Sequence, residues 1–129
     1  MHDPTPKKVL IADDEAFIRL LIEQTLEDVD GVEIEILTVD NGADALQTIL
    51  SQAPSLVFLD VMMPRMNGFD VCREVKLSAG MIQVYIVLLT AKGQEYDRQI
   101  GMEAGANLYM TKPFDPDELL ELAQQVLVG

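Results

Sequence analysis

Five short apolar runs punctuate the chain, and each is followed by a stretch with helical periodicity. "KKVLIA" comes first and leads into "AFIRLLIEQTLEDV", where Ile18, Leu21, Ile22 and Val29 share one helical face. "VEIEILTV" begins with strict alternation. Glu33 and Glu35 fall on one side and Val32, Ile34 and Ile36 on the other, as in a half-exposed edge strand. Asn41 is the predicted cap of the helix "ADALQTILSQA". "LVFLD" is the third strand, and Asn67-Gly68 opens the helix "FDVCREVKLS". "VYIVLLT" is apolar on both faces, and the helix after it, "QEYDRQIGMEA", is weakened by Gly101. "NLYM" is the fifth strand. The last helix, "DPDELLELAQQVLV", carries every start signal: Asp115 as cap, Pro116 at the first position, and Glu118 completing a capping box. Its inner stripe is Leu119, Leu122, Ala123, Val126 and Leu127.

Strictly alternating strands and helices call for an α/β fold, a five-stranded parallel sheet with helices on both faces. The continuous apolar runs of strands one, three and four suit its centre. Residues 1–7 read as a short leader and 8–128 as one domain, ending just after the last helix.

Composition narrows the function. The chain has 129 residues, is 49% hydrophobic, and carries a formal charge of -13. A core can form, but a surface built mainly for nucleic acid or anionic membrane is excluded, since both need clustered Lys and Arg. A metal cation or a basic partner surface fits the charge better. One cysteine, Cys72, forms no internal disulfide or zinc cluster. One histidine, His2, rules out a His-based triad or metal cluster. No run reaches membrane-spanning length and no signal-peptide pattern opens the chain, so the expected setting is cytoplasmic.

The strand ends carry the chemistry. All strands of a parallel sheet point the same way, and ligands bind along their C-terminal rim. Strand one ends at Asp13-Asp14, strand three at Asp60 and strand four at Thr90; Lys112-Pro113 follows strand five. Singly, each has an ordinary explanation: an acidic pair as a helix cap, a lone Asp as a turn residue, Lys-Pro as loop. Together they place three carboxylates, a hydroxyl and an ammonium at one rim. Three carboxylates repel unless one is protonated or a cation joins them. Mg²⁺ takes such oxygen ligands together with phosphate oxygens. A carboxylate can also serve as a nucleophile and form an aspartyl-phosphate.

In this order and spacing, "VLIADDE", "LVFLDVMMPRMNG", "VLLTAKG" and "GANLYMTKPF" resemble the receiver domain of two-component response regulators, over about residues 8–128. The resemblance implies the doubly wound (βα)5 architecture with strand order 2-1-3-4-5. It implies that Asp60 accepts a phosphoryl group from a phosphohistidine on a sensor kinase or phosphotransfer protein. Asp13, Asp14, Asp60 and the Met62 backbone carbonyl would then hold Mg²⁺. Thr90 would bind a phosphoryl oxygen, and Lys112 would pair with Asp60 and then with the phosphate. Thr90, Tyr109 and Pro113 would form the switch, and Lys112-Pro113 would be a cis peptide. The surface that changes would be the fourth helix, fifth strand and fifth helix, read by an effector protein or output domain. Pro64 would stiffen the loop after Asp60, Gly68 would permit its tight exit, and small Ala91 would leave the pocket open. The side chains of Met62 and Lys92 would tune dephosphorylation. Asn107-Leu108 and Leu120 depart from the common pattern and are read as an apolar contact patch on the switching face.

Other functions on the same architecture fit less well. An aspartyl-nucleophile phosphatase would place D-x-D-x-T at strand one, whereas this chain has Asp-Asp-Glu there and no general acid two residues after Asp60. A flavodoxin-like cofactor binder would want a hydroxyl- and Gly-rich loop at that place, and acidic residues repel phosphate. A receiver-like scaffold that is never phosphorylated would not need the whole set of site residues. The expected role is a phospho-accepting signalling module, standing alone or cut from a longer regulator, and not an enzyme.

Overall fold

The computed structural model describes residues 5–91 and 98–129. Strands β1 (Lys7–Ala12), β2 (Ile34–Val39), β3 (Leu56–Asp60), β4 (Tyr85–Ala91) and β5 (Leu108–Lys112) form one parallel sheet in the order β2-β1-β3-β4-β5. Helices α1 (Ala16–Leu26), α2 (Gly42–Gln52), α3 (Gly68–Arg73), α4 (Arg98–Glu103) and α5 (Pro116–Leu127) connect or follow them. This is the expected (βα)5 architecture and strand order.

Alternation along the inner strands divides the core in two. Val9, Ile11, Phe58, Val87 and Leu89 face one way and pack under α1 and α5, against Ile22, Leu26, Leu119 and Ala123. Leu10, Val57, Leu59, Ile86 and Leu88 face the other way, against Ala45 and Ile49 of α2 and Val71 and Cys72 of α3. β3 is buried at every position, whereas β2 is half-buried with Glu35 exposed, as its alternation predicted. Each fully buried Leu, Ile or Phe contributes about 1.5–3 kcal/mol, and these side chains hold the strand ends in place.

Helix boundaries follow local chemistry. Asn41 and Asn67 each accept a backbone hydrogen bond, from Asp44 and Asp70, and so cap α2 and α3. Asp115 caps α5 with Pro116 at its start, but it accepts from Asp117, one residue earlier than a capping box would. α1 stops at Leu26, three residues short of its apolar pattern. The expected helix 69–78 is α3 followed by a π-helical turn, Glu74–Ser78, closed by Ala79 N–H donating to the Glu74 carbonyl at 2.8 Å. Lys76 in that turn is buried and donates to the Ile82 carbonyl at 3.2 Å. The first part of the expected fourth helix, residues 94–97, lies outside the described residues; α4 begins at Arg98.

Among the residues expected to form a contact patch, Asn107-Leu108 and Leu120, the asparagine has a structural part to play. The Asn107 side-chain oxygen accepts from Ile86 N–H at 2.8 Å, and its own N–H donates to the Ile86 carbonyl at 2.9 Å. Asn107 thus clasps the start of β5 to buried β4. Leu108 and Leu120 are half-buried against the core under α1 and α5.

Candidate functional site

Sheet register sets the site. Ala12 lies beside Leu59, so the residues following β1 come level with Asp60 at the end of β3. Leu89 lies beside Asp60, and Ala91 beside Lys112. β5 runs two residues further than expected, so Lys112 is its last residue and not part of the following loop. The Lys112–Pro113 peptide is cis, as the resemblance implied.

Four charged groups meet here. The Lys112 ammonium lies 3.0 Å from Asp13 Oδ2, 3.3 Å from Glu15 Oε1 and 3.4 Å from Asp60 Oδ2. Asp13 is fully buried and Asp60 nearly so, while Asp14 and Glu15 are exposed. Asp13 Oδ1 accepts from Glu15 N–H at 2.8 Å, and Asp60 Oδ1 accepts from Met62 N–H at 3.3 Å. Both carboxylates are therefore held from the protein side by backbone. Their remaining oxygens share a single cation.

Burial and mutual repulsion govern the protonation of this set. Burial, and then the Asp13 charge, push Asp60 up to about 7, against which Lys112 and the Met62 N–H are not enough. Burial also raises Asp13. Burial pulls Lys112 down, but the bond to Asp13 and the charges of Asp60 and Asp13 outweigh it, and the ammonium ends above its ordinary value. One ammonium facing three carboxylates leaves the cluster short of positive charge.

Thr90 is buried on β4, and among the described residues its hydroxyl is the buried side-chain polar atom that finds no partner. An orphaned hydroxyl costs about 1–3 kcal/mol in desolvation, and it fits a site that awaits an acceptor oxygen. Thr90→Val is therefore expected to raise the stability of the unphosphorylated chain by about 1 kcal/mol. Urea denaturation would measure this, and a loss of stability would mean that the hydroxyl is paired in solution.

A cavity of about 510 Å³ opens over these groups, lined by Asp14, Glu15, Ile18, Asp60, Met62, Ala91, Lys112 and Pro113. Met62 presents an exposed side chain, and Ala91 leaves the mouth clear. A larger groove, about 650 Å³, lies away from the carboxylates, between β5 and α5. Tyr109 borders it and is buried, more deeply than an ordinary edge-strand tyrosine, with the Arg98 guanidinium 6.0 Å from its ring centre. Lys92 lies outside the described residues.

Asp13, Asp60 and Lys112 are thus in direct contact, with Asp14 and Met62 on the same cavity wall and Thr90 next to Ala91. Glu15 is an addition: it pairs with Lys112, and its carboxylate lies with those of Asp13 and Asp14 within 4.8 Å. The run Asp-Asp-Glu held that signal, but only the fold turns Glu15 toward the ammonium. Gly68 also has a different reason from the one expected. Its need is close approach: a Cβ there would overlap the Asp60 carbonyl oxygen and lie 3.0 Å from Val61 Cα.

Comparison with known proteins assigns the arrangement. Residues 9–124 match the family model of the response regulator receiver domain. The chain is 42% identical over 121 residues to the "Probable transcriptional regulator ycf27" of Pyropia yezoensis, covering 94% of this chain and 47% of that protein. It is 37% identical, over 94% of its length and 48% of the relative's, to the alkaline phosphatase synthesis transcriptional regulatory protein PhoP of Bacillus subtilis. Among solved structures, the chemotaxis response regulator CheY4 of Vibrio cholerae superposes with a TM-score of 0.79 at 34% identity, covering 95% of this chain and 99% of that one. The chain belongs to the response regulator receiver family, whose members are signalling domains and not turnover enzymes. It spans about half the length of the curated relatives it matches.

The family implies a divalent metal, and the residues fit one. Asp13, Asp14 and Glu15 offer hard carboxylate oxygens close enough to share an ion, beside a buried carboxylate that is short of positive charge. No helix among the described residues is long and apolar enough to cross a membrane.

Proposed function

We propose that Asp60 accepts a phosphoryl group from a phosphohistidine donor in a Mg²⁺-dependent reaction, and that the product switches a protein-binding surface. The observation that carries this is the setting of Asp60: a buried carboxylate at the cavity floor, between Asp13 and Lys112, with the unpartnered Thr90 hydroxyl nearby on the neighbouring strand. The Asp60 oxygen that faces the cavity attacks phosphorus as the bond to the donor imidazole breaks; the other oxygen stays on Met62 N–H. Asp13, Asp14, Asp60 and the Met62 carbonyl are the residues that would hold Mg²⁺, with Glu15 at the edge. When bound, Mg²⁺ would offset the charge of these carboxylates and of the transferring oxygens. Lys112, already shared among three carboxylates, is free to turn to the phosphoryl group once Asp60 is consumed.

Phosphorylation adds about -1.5 to -2 charge and strong acceptors. Thr90 gains the partner it lacks and moves toward it. Tyr109, buried on the adjacent strand, senses the space that Thr90 leaves, and with Pro113 carries the change to the groove between β5 and α5. The partners are a sensor histidine kinase or phosphotransfer protein on the input side, and an effector or output domain reading α4, β5 and α5. The receiver unit begins with β1 at Lys7 and runs to residue 128, acting in the cytoplasm, where Cys72 stays reduced. Whether it works alone or as part of a longer regulator, the groove is the reading face.

Amide NMR with Mg²⁺ and beryllofluoride, a phosphoryl mimic, tests the switch. Shifts are expected at Thr90 beside the ligand and, far from it, at Tyr109 and along α5. Shifts confined to Asp13–Glu15 and Asp60–Met62 would sink the switching part of the proposal.

A further inference from the structure

We infer that Gly42, at the start of α2, is a positioning residue for the metal site. The inference rests on the Mg²⁺ reading above. The loop that follows Asp60 carries the Met62 backbone, and its two ends are pinned to the sheet. Val61 N–H donates to the Leu89 carbonyl at 2.9 Å, and Gly68 N–H donates to the Val61 carbonyl at 2.8 Å. Between these pins the tip is a tight turn. Met66 N–H donates to the Pro64 carbonyl at 2.8 Å, closing a ring around Arg65, whose φ is +70°. A three-residue turn with positive φ at a non-glycine centre is strained, and such turns persist only when the surroundings hold them.

α2 does the holding. Gly42 N–H donates to the same Pro64 carbonyl at 3.2 Å. The helix start is itself fixed: Asn41 is buried, accepts from Asp44 N–H at 2.8 Å, and donates to the Asp40 and Asp44 carboxylates at 3.0 and 2.9 Å. The approach is so close that only glycine fits. A Cβ on Gly42 would overlap the Met66 carbonyl oxygen and lie 2.6 Å from its carbonyl carbon. That atom is backbone and cannot swing aside, so any side chain displaces the turn. The Met63 and Met66 side chains also pack against the core, but the ion pair at the tip, Arg65 to Asp44 at 4.0 Å between exposed side chains, is weak. The strained tip and the Met62 backbone belong to one short loop, so moving the tip moves the metal's carbonyl ligand.

The test is direct Mg²⁺ binding by isothermal titration calorimetry on the folded chain, without any phosphodonor. Gly42→Ala is expected to weaken Mg²⁺ binding about tenfold. Asn41→Ala, which loosens the helix start without adding a clash at Met66, is expected to weaken it several-fold, and it serves if Gly42→Ala does not fold. Gly80→Ala controls for stability loss alone: its φ is +67°, yet nothing lies within 4 Å of the added carbon. It should bind Mg²⁺ like the parent. Parental affinity in both Gly42→Ala and Asn41→Ala overturns the inference, as does equal weakening in Gly80→Ala; if only Asn41→Ala folds, its affinity decides. A parent that binds no Mg²⁺ overturns the metal reading itself, and this inference with it.

Discussion

Asp60→Asn is expected to melt higher than the parent chain at pH 8 without Mg²⁺, while losing the phosphoryl site. The reason is the cost of keeping Asp60 ionised. Its folded value, about 7, is above the ordinary value of 3.8, so the fold holds this proton more tightly than the unfolded chain does. The sign follows from linkage: the benefit of the protonated group is fully present below about pH 4, declines through the folded value near 7, and is gone above it. At 1.36 kcal/mol per pKa unit, the cost at pH 8 is at most on the order of 4 kcal/mol, and solvent relaxation reduces it to roughly 2. Asparagine removes that cost and keeps an oxygen for Met62 N–H. For a domain of this size about 2 kcal/mol is roughly 6 °C in Tm. The gap should close near pH 4.5, where the parent is protonated too. It should also narrow with Mg²⁺, which binds the parent better. Thermal melts at two pH values, with and without Mg²⁺, measure all of this. A mutant that melts lower at pH 8 in the absence of metal would mean that the Lys112 pair outweighs burial.

Gly68→Ala should act in the opposite direction. The added carbon overlaps the carbonyl oxygen of Asp60 itself, so relief requires moving the end of β3 or the start of α3. The end of β3 is buried and bonded into the sheet, so it resists the shift. Overpacking against backbone in a filled core costs about 3 kcal/mol, which is roughly 9 °C in Tm. Because the atom struck belongs to Asp60, phosphoryl uptake should fall even under conditions where the variant is folded. Urea denaturation gives the first quantity and phosphoryl incorporation the second. A variant as stable and as competent as the parent would contradict the packing described at this point.

Much of this was legible in the sequence because period and burial agree. β3 is apolar at each of four positions before Asp60, and only a central strand is buried on both faces. The alternation in β2 announced an edge. Asn41, Asn67 and Asp115 cap helices by local bonds, which sequence spacing captures. The strand-end residues were legible for a topological reason: a parallel sheet brings its C-terminal ends together whatever the loop details. What stayed hidden depends on contacts remote in sequence. Glu15 reaches Lys112 across 97 residues. The role of Asn107 depends on Ile86 lying opposite it. Lys76 carries no mark that separates it from an exposed lysine; its burial follows from the π-helical turn. Gly68 looked like a turn residue, whereas its requirement, like that of Gly42, is the closeness of another backbone.

The central claim is that Asp60 is the phosphoryl acceptor of a metal-assisted site. Intact mass after incubation with acetyl phosphate tests it most directly, on the parent and on Asp60→Asn, each with and without Mg²⁺. The expected result is a single phosphoryl adduct on the parent with Mg²⁺, absent when the metal is removed and absent in the mutant. An adduct of equal yield on Asp60→Asn, or one indifferent to Mg²⁺, would contradict the account.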